Sequence, residues 1–115
     1  MSFSKRQEGI VKIIEGQITK PHRVSEDTLL RGMITEKVTV AEGVRLEIRG
    51  MITADLEVGP SATVLIYGMV NGTVRNLGGH VVIEGWVDEV VEGLGGKTEV
   101  KGEGMVRGRW GGPLR

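Results

Sequence analysis

The chain has no cysteine among its 115 residues, which removes disulfide frameworks, thiolate nucleophiles and thiolate metal sites together. It has one Phe, one Tyr and two Trp, too few large side chains to fill an ordinary globular core. It has no excess of charge: 15 basic residues balance 15 acidic ones, so no global field draws it to nucleic acid or anionic lipid. Long apolar runs are missing too. Ile10 to Ile14 is interrupted by Lys12 and ended by Glu15, unlike a signal peptide, and nothing approaches the roughly 20 apolar residues of a spanning helix. These absences lead us to expect a soluble, cytoplasmic chain without a membrane partner. Its length suits one domain, with no room for a separate catalytic lobe.

What the chain has in quantity is glycine, 19 residues, and the glycines fall at a regular spacing. Gly32 to Arg49, Gly50 to Tyr67, Gly68 to Glu84 and Gly85 to Lys101 are four copies of one pattern, and GMVRG at Gly104 to Gly108 opens a fifth. The anchors Gly32, Gly50, Gly68, Gly85 and Gly102 lie 18, 18, 17 and 17 residues apart. A repeat of this length marks a solenoid, which stacks small β-branched residues coil on coil and needs no bulky core. Inside a copy the period is two. Val38 and Val40 alternate with Lys37 and Thr39, and Val44, Leu46 and Ile48 with Arg45, Glu47 and Arg49. Those are half-buried strands. Leu56, Val58, Ala62, Val64 and Ile66 repeat the inward positions one coil later. Gly43, Gly59-Pro60-Ser61 and Gly78-Gly79 mark corners.

The pattern predicts an all-β chain: a single parallel β-helix of about 18 residues per coil and four to five coils. Residues 1–29 fit the repeat poorly and read as an irregular N-terminal coil or cap. Residues 30–108 carry the repeats, and 109–115 form a C-terminal tail or cap. Ile10, Val11, Ile13 and Ile14 favour a strand in the first segment, with a short capping helix from Ser4 as the alternative.

The order Gly, apolar, apolar and two short Val/Ile arms, as in GMVNGTV at Gly68 to Val74, resembles the bactofilins and related polymer-forming proteins. The resemblance covers Gly32 to Gly108 and carries no catalytic motif. It implies a right-handed helix whose core polymerises end to end without nucleotide. Residues 1–29, with one proline, depart from the proline-rich tails of that family. A second resemblance lies in Ile34, Val40, Leu46, Ile52, Val58, Val64 and Val70, spaced by six, which is similar to the hexapeptide repeat of left-handed acyltransferases. Those are trimers with a histidine between subunits. This chain has two histidines and no long excursion loop after Leu30, and its register slips at the third coil.

The chain carries few residues that could do chemistry. His80 points outward by strand parity, in a column with Arg45, Thr63 and Lys97. That column offers cations rather than the carboxylate that would orient a general base, though Glu84 and Glu47 lie near. His22 follows Pro21 and reads as a loop residue. Two isolated histidines and scattered carboxylates lack metal-ligand spacing, and the glycines match no phosphate-binding fingerprint. Arg107, Arg109 and Arg115 around Trp110 read as a solvated terminus with Trp110 folded over the last coil, not a nucleic-acid patch. No catalytic residue, cofactor or metal site is therefore assigned, and neither a small-molecule substrate nor nucleic acid is expected as a partner.

Two surface features remain. Met33, Met51, Met69, Trp86 and Met105 form one column, open to two readings: packed in a corner, or exposed as an adaptable edge. On the outward face of the arm that ends each coil, Leu65, Tyr67 and Val82 form an apolar centre with charge above and below, the anatomy of a protein-binding patch. Cross-strand packing of surface residues produces the same pattern. The resulting expectation is a non-enzymatic protein-interaction module, with Leu65, Tyr67, Val82, Met51, Met69 and Trp86 as its contact residues. By elimination, a neutralising partner of a bacterial toxin fits such a chain. The alternatives are a bactofilin-like subunit that self-associates through its ends and, third, an acyltransferase-like protein.

Overall fold

Parallel strand pairing runs through the whole described chain, residues 12–111 of a computed structural model. Among these residues there is no helix. Each coil contributes three short arms. The first arms are Lys12–Ile14, Thr28–Leu30, Arg45–Ile48, Thr63–Ile66, His80–Ile83 and Lys97–Val100, and they form one six-stranded parallel sheet. The second and third arms form a ten-stranded sheet, because in the fourth and fifth coils they fuse into the continuous strands Met69–Leu77 and Trp86–Gly93. The protein is thus a β-solenoid of about six turns of roughly 17 residues, more turns than the four to five that the sequence suggests.

The core is a set of columns. On the first arm Leu46, Val64 and Val81 stack in register, as do Leu30, Ile48, Ile66 and Ile83. The second arm supplies one inward residue per coil, Ile34, Ile52, Val70 and Val87. The third arm supplies Val38, Leu56, Val74 and Val90. All of these are 0–1% exposed. The six-residue spacing of the sequence takes one inward side chain from each arm in turn, such as Ile34, Val40 and Leu46, while the first and third arms each carry two. β-branched and leucine side chains suit this packing, because each fills the space above its counterpart one strand spacing away, about 4.8 Å.

The glycine column has a steric cause. A β-carbon on Gly50 would lie 2.0 Å from the Gly32 carbonyl oxygen, and one on Gly68 would lie 2.0 Å from that of Gly50. Gly32 and Gly85 stand in the same relation to Gly16 and Gly68. The second α-hydrogen of each glycine faces the carbonyl of the coil before, so coils close up here as no other residue permits. In the last coil Gly104 holds this place, its notional β-carbon 2.1 Å from the Ile83 carbonyl oxygen, and Met105 pairs with Trp86. Gly102, the anchor expected from spacing, sits instead in a two-residue turn at φ +58. A different corner requires the left-handed conformation: Gly43, Ser61, Gly78 and Gly95 all adopt positive φ there, and Leu94 beside them does too.

The described N-terminal residues are more regular than their sequence. Lys12, Ile13 and Ile14 pair with Thr28, Leu29 and Leu30, Gln17 pairs with Met33, and His22 to Val24 pair with Val38 to Val40. At the other end Trp110 pairs with Val90 as the third arm of the sixth coil and does not fold over it. The strand-or-helix alternative for Ile10 to Ile14 is settled as strand for Lys12–Ile14, while Ser4, Ile10 and Val11 lie outside the described residues.

Among the described residues Asn76 is the one amide with a buried side chain, in the column of Val40 and Val58. Its Nδ2 donates to the Lys97 carbonyl at 2.9 Å and to Thr98 Oγ1 at 3.1 Å, while Oδ1 accepts the Gly79 N–H at 2.8 Å. A buried amide is tolerated because these bonds satisfy it. Here the corner shortens: Val58 to Thr63 spans five steps and Asn76 to His80 four. The side chain supplies the turn's acceptor, and the register slip of the sequence is placed at this point.

Candidate functional site

Three outward columns and one glycine column lie side by side across the corner between first and second arms. The first column is Ile13, Leu29, Glu47, Leu65, Val82 and Glu99. Next comes Glu15, Arg31, Arg49, Tyr67, Glu84 and Lys101. Its register is fixed by equivalent backbone bonds, Arg31 N–H to Ile14, Arg49 to Leu30, Tyr67 to Ile48, Glu84 to Ile66 and Lys101 to Ile83. The glycine column follows, and beyond it stand Gln17, Met33, Met51, Met69, Trp86 and Met105.

The methionine column faces outward. Met33, Met51 and Met69 are half-buried, and Trp86 and Met105 are each 45% exposed. Of its two readings the exposed edge is the observed one. With no side chain on Gly16, Gly32 and Gly50, a shallow groove of about 490 Å³ runs between Glu15, Arg31 and Arg49 on one wall and Met33 and Met51 on the other. Tyr67 and Trp86 flank the same glycine line one and two coils further on. The Arg49 guanidinium lies over the Tyr67 ring at 4.5 Å, and its Nε donates to Glu47 at 2.6 Å. That pairing holds the aromatic ring and the charge together at the surface.

The structure corrects one contact residue. Val82 is 9% exposed, enclosed within the face, and cannot be the centre of a docking patch. Leu65 beside it is half-buried, whereas Tyr67 is 38% exposed. The six residues singled out by sequence are thus divided: Tyr67, Met51, Met69 and Trp86 line one strip, Leu65 borders it, and Val82, though in the outward column, is buried among its neighbours.

His80 stands in register with Thr63 and Lys97, as strand parity required. Its partner is Glu99, at 2.8 Å from Nε2, and neither Glu84 nor Glu47. Glu99 is one coil on in the neighbouring column, a diagonal contact that same-column reasoning misses. Lys97 and Lys101 also approach Glu99, each at 3.6 Å. The His80 hydrogen bond, with the two lysines, holds the Glu99 carboxyl below its ordinary range. His22 is a strand residue, not a loop residue, half-buried at the end of the Val38 column. Desolvation, with Lys12 and Lys20 nearby, lowers its pKa.

No family model matches the chain, and no curated protein or solved structure matches it at a significant level.

Proposed function

We propose that the chain is a non-enzymatic interaction module whose contact surface is the strip of Met51, Met69, Trp86, Tyr67 and Arg49, bordered by Leu65. The observation that carries this is the outward methionine and tryptophan column, set beside a glycine ladder where successive coils approach closely. Trp, Tyr, Met and Arg are the side chains enriched at the centres of protein interfaces. This chain has only four aromatic residues, and two of them flank one glycine line. Flexible methionines between them adapt to a partner's shape. A photoreactive residue in place of Met69, activated in the native cell, should yield a discrete protein adduct that Trp86→Asp abolishes. The same residue in place of Thr39, outward on the third arm, should yield none. Equal labelling from both positions, or none from either, would overturn the assignment.

A second reading is favoured by the sixth coil. There Val100 and Trp110, both in inward columns, are 36% and 44% exposed, since no described coil covers them. A structural subunit stacking through its ends would cover those residues. It predicts rods that lengthen with concentration and are abolished by Val100→Lys.

A further inference from the structure

We infer that the partner of this strip is a second copy of the chain, lying antiparallel against the first. The inference rests on the reading of the strip as an interface and adds the identity of what covers it. The outward column beside the glycines reads, coil by coil, Glu15, Arg31, Arg49, Tyr67, Glu84, Lys101. All six side chains are exposed. Read backwards, the column is its own complement: Glu15 falls opposite Lys101, Arg31 opposite Glu84, and Arg49 opposite Tyr67. The two outer pairs are opposite charges, and the central pair is a cation on an aromatic face, the contact that Arg49 already makes with Tyr67 within one chain at 4.5 Å.

Such a sequence is what a two-fold interface demands, since the same patch must recognise itself. Place the two-fold axis in the plane of the interface, across the solenoid, between the third and fourth coils. Each coil then meets its mirror-numbered counterpart, and each column meets the same column of the second copy. The methionine column also suits this. Met51 falls opposite Met69 and Met33 opposite Trp86, apolar against apolar, with Gln17 and Met105 at the ends. Turning the axis parallel to the solenoid would instead set methionines against charges. Parallel stacking of this kind also leaves Arg31 and Arg49 facing no acid in their own column.

The strip is six coils long, about 24 Å at the strand spacing of a sheet. It is only two side-chain columns wide, narrow against the roughly 1,600 Å² of a standard interface, so the dimer should be weak and reversible. Its specificity would come from the charge order more than from area.

The experiment is sedimentation velocity of the full chain from about 1 μM to about 1 mM, a range that spans weak affinities. Wild type is expected to form a discrete dimer and stop there. Arg31→Glu and Glu84→Arg each place like charges across the two-fold axis, so each alone should stay monomeric at concentrations where wild type dimerises. An equimolar mixture of the two variants restores both pairs and should dimerise, as should the double variant. Circular dichroism of each variant establishes that the solenoid is intact. A wild type that stays monomeric throughout, grows without limit, or dimerises equally well as either single variant would overturn the inference. If wild type is monomeric while the Met69 photoproduct forms with another protein, the interaction-module reading stands and only the second copy falls.

Discussion

A single methyl group distinguishes the roles of three glycines. On Gly50 it would lie 2.0 Å from a backbone oxygen, on Gly43 it meets open space but φ is +73, and on Gly16 it meets open space with no such conformation. Gly50→Ala should therefore lower unfolding free energy by more than about 3 kcal/mol, since two coils must separate. Gly43→Ala should cost about 1 kcal/mol, the strain of a left-handed alanine. Gly16→Ala should change stability by less than about 0.5 kcal/mol. Urea midpoints at constant slope measure all three. His22 gives the residue-scale pH prediction. Its pKa in the folded chain lies below the ordinary 6.5. In the window between those two values the unfolded chain binds more protons than the folded one, so stability rises with pH there and is lost as pH falls through it. Glu99 also has a lowered pKa, but its window lies in the carboxylate range, well below that of His22. Replacing His22 with Gln should flatten the urea midpoint between about pH 5 and about pH 7. A slope that persists in that range would assign it to another group.

At the scale of the element, the corner built around Asn76 is a register device. A valine fits the column, as Val40 and Val58 show, but it cannot supply the acceptor that Gly79 N–H uses or the donor that reaches Lys97. Asn76→Val should cost about 2–3 kcal/mol, the penalty of leaving buried backbone groups unpaired. An unchanged urea midpoint would mean that water takes over those bonds. The same scale explains what the sequence disclosed. The inward columns were legible because alternation with period two and repetition at 17–18 residues agree at every copy. The first described coil was not, because Gln17 replaces the methionine. It was also hidden because Val24 to Thr28 takes four steps where Val40 to Leu46 takes six. The last anchor was misplaced because Gly102 and Glu103 form an extra turn, and three glycines within seven residues leave the spacing ambiguous. The proposed contact strip is partly legible: parity places Met51, Met69, Trp86 and Tyr67 outward, but parity alone does not reveal that Val82 is buried. The His80–Glu99 bond crosses to the neighbouring column beside Val82, and no reading confined to single columns finds it.

Across the whole molecule, each coil touches only the coil before and the coil after, so stability is distributed by position along the stack. A central first arm such as Thr63–Ile66 pairs on both sides, with Arg45–Ile48 and with His80–Ile83. Its inward side chains Val64 and Ile66 are fully buried. Lys97–Val100 pairs with one described strand, and its inward residues Thr98 and Val100 are partly exposed. Opening the sixth coil disturbs one interface between coils, whereas exposing the fourth requires breaking two. Amide exchange should therefore be faster in Lys97–Val100 than in Thr63–Ile66, with the difference set by local opening instead of global unfolding. The gradient also separates the two ways in which copies can meet. Dimerisation through the glycine-floored strip leaves the sixth coil's ladder open, so its amides should exchange at the same rate in dilute and concentrated protein. End-to-end stacking would pair that ladder with another chain and slow the same amides as concentration rises. Exchange measured at two concentrations thus reads which surface is covered, and protection gained at Lys97–Val100 would shift the interface from the side of the solenoid to its end.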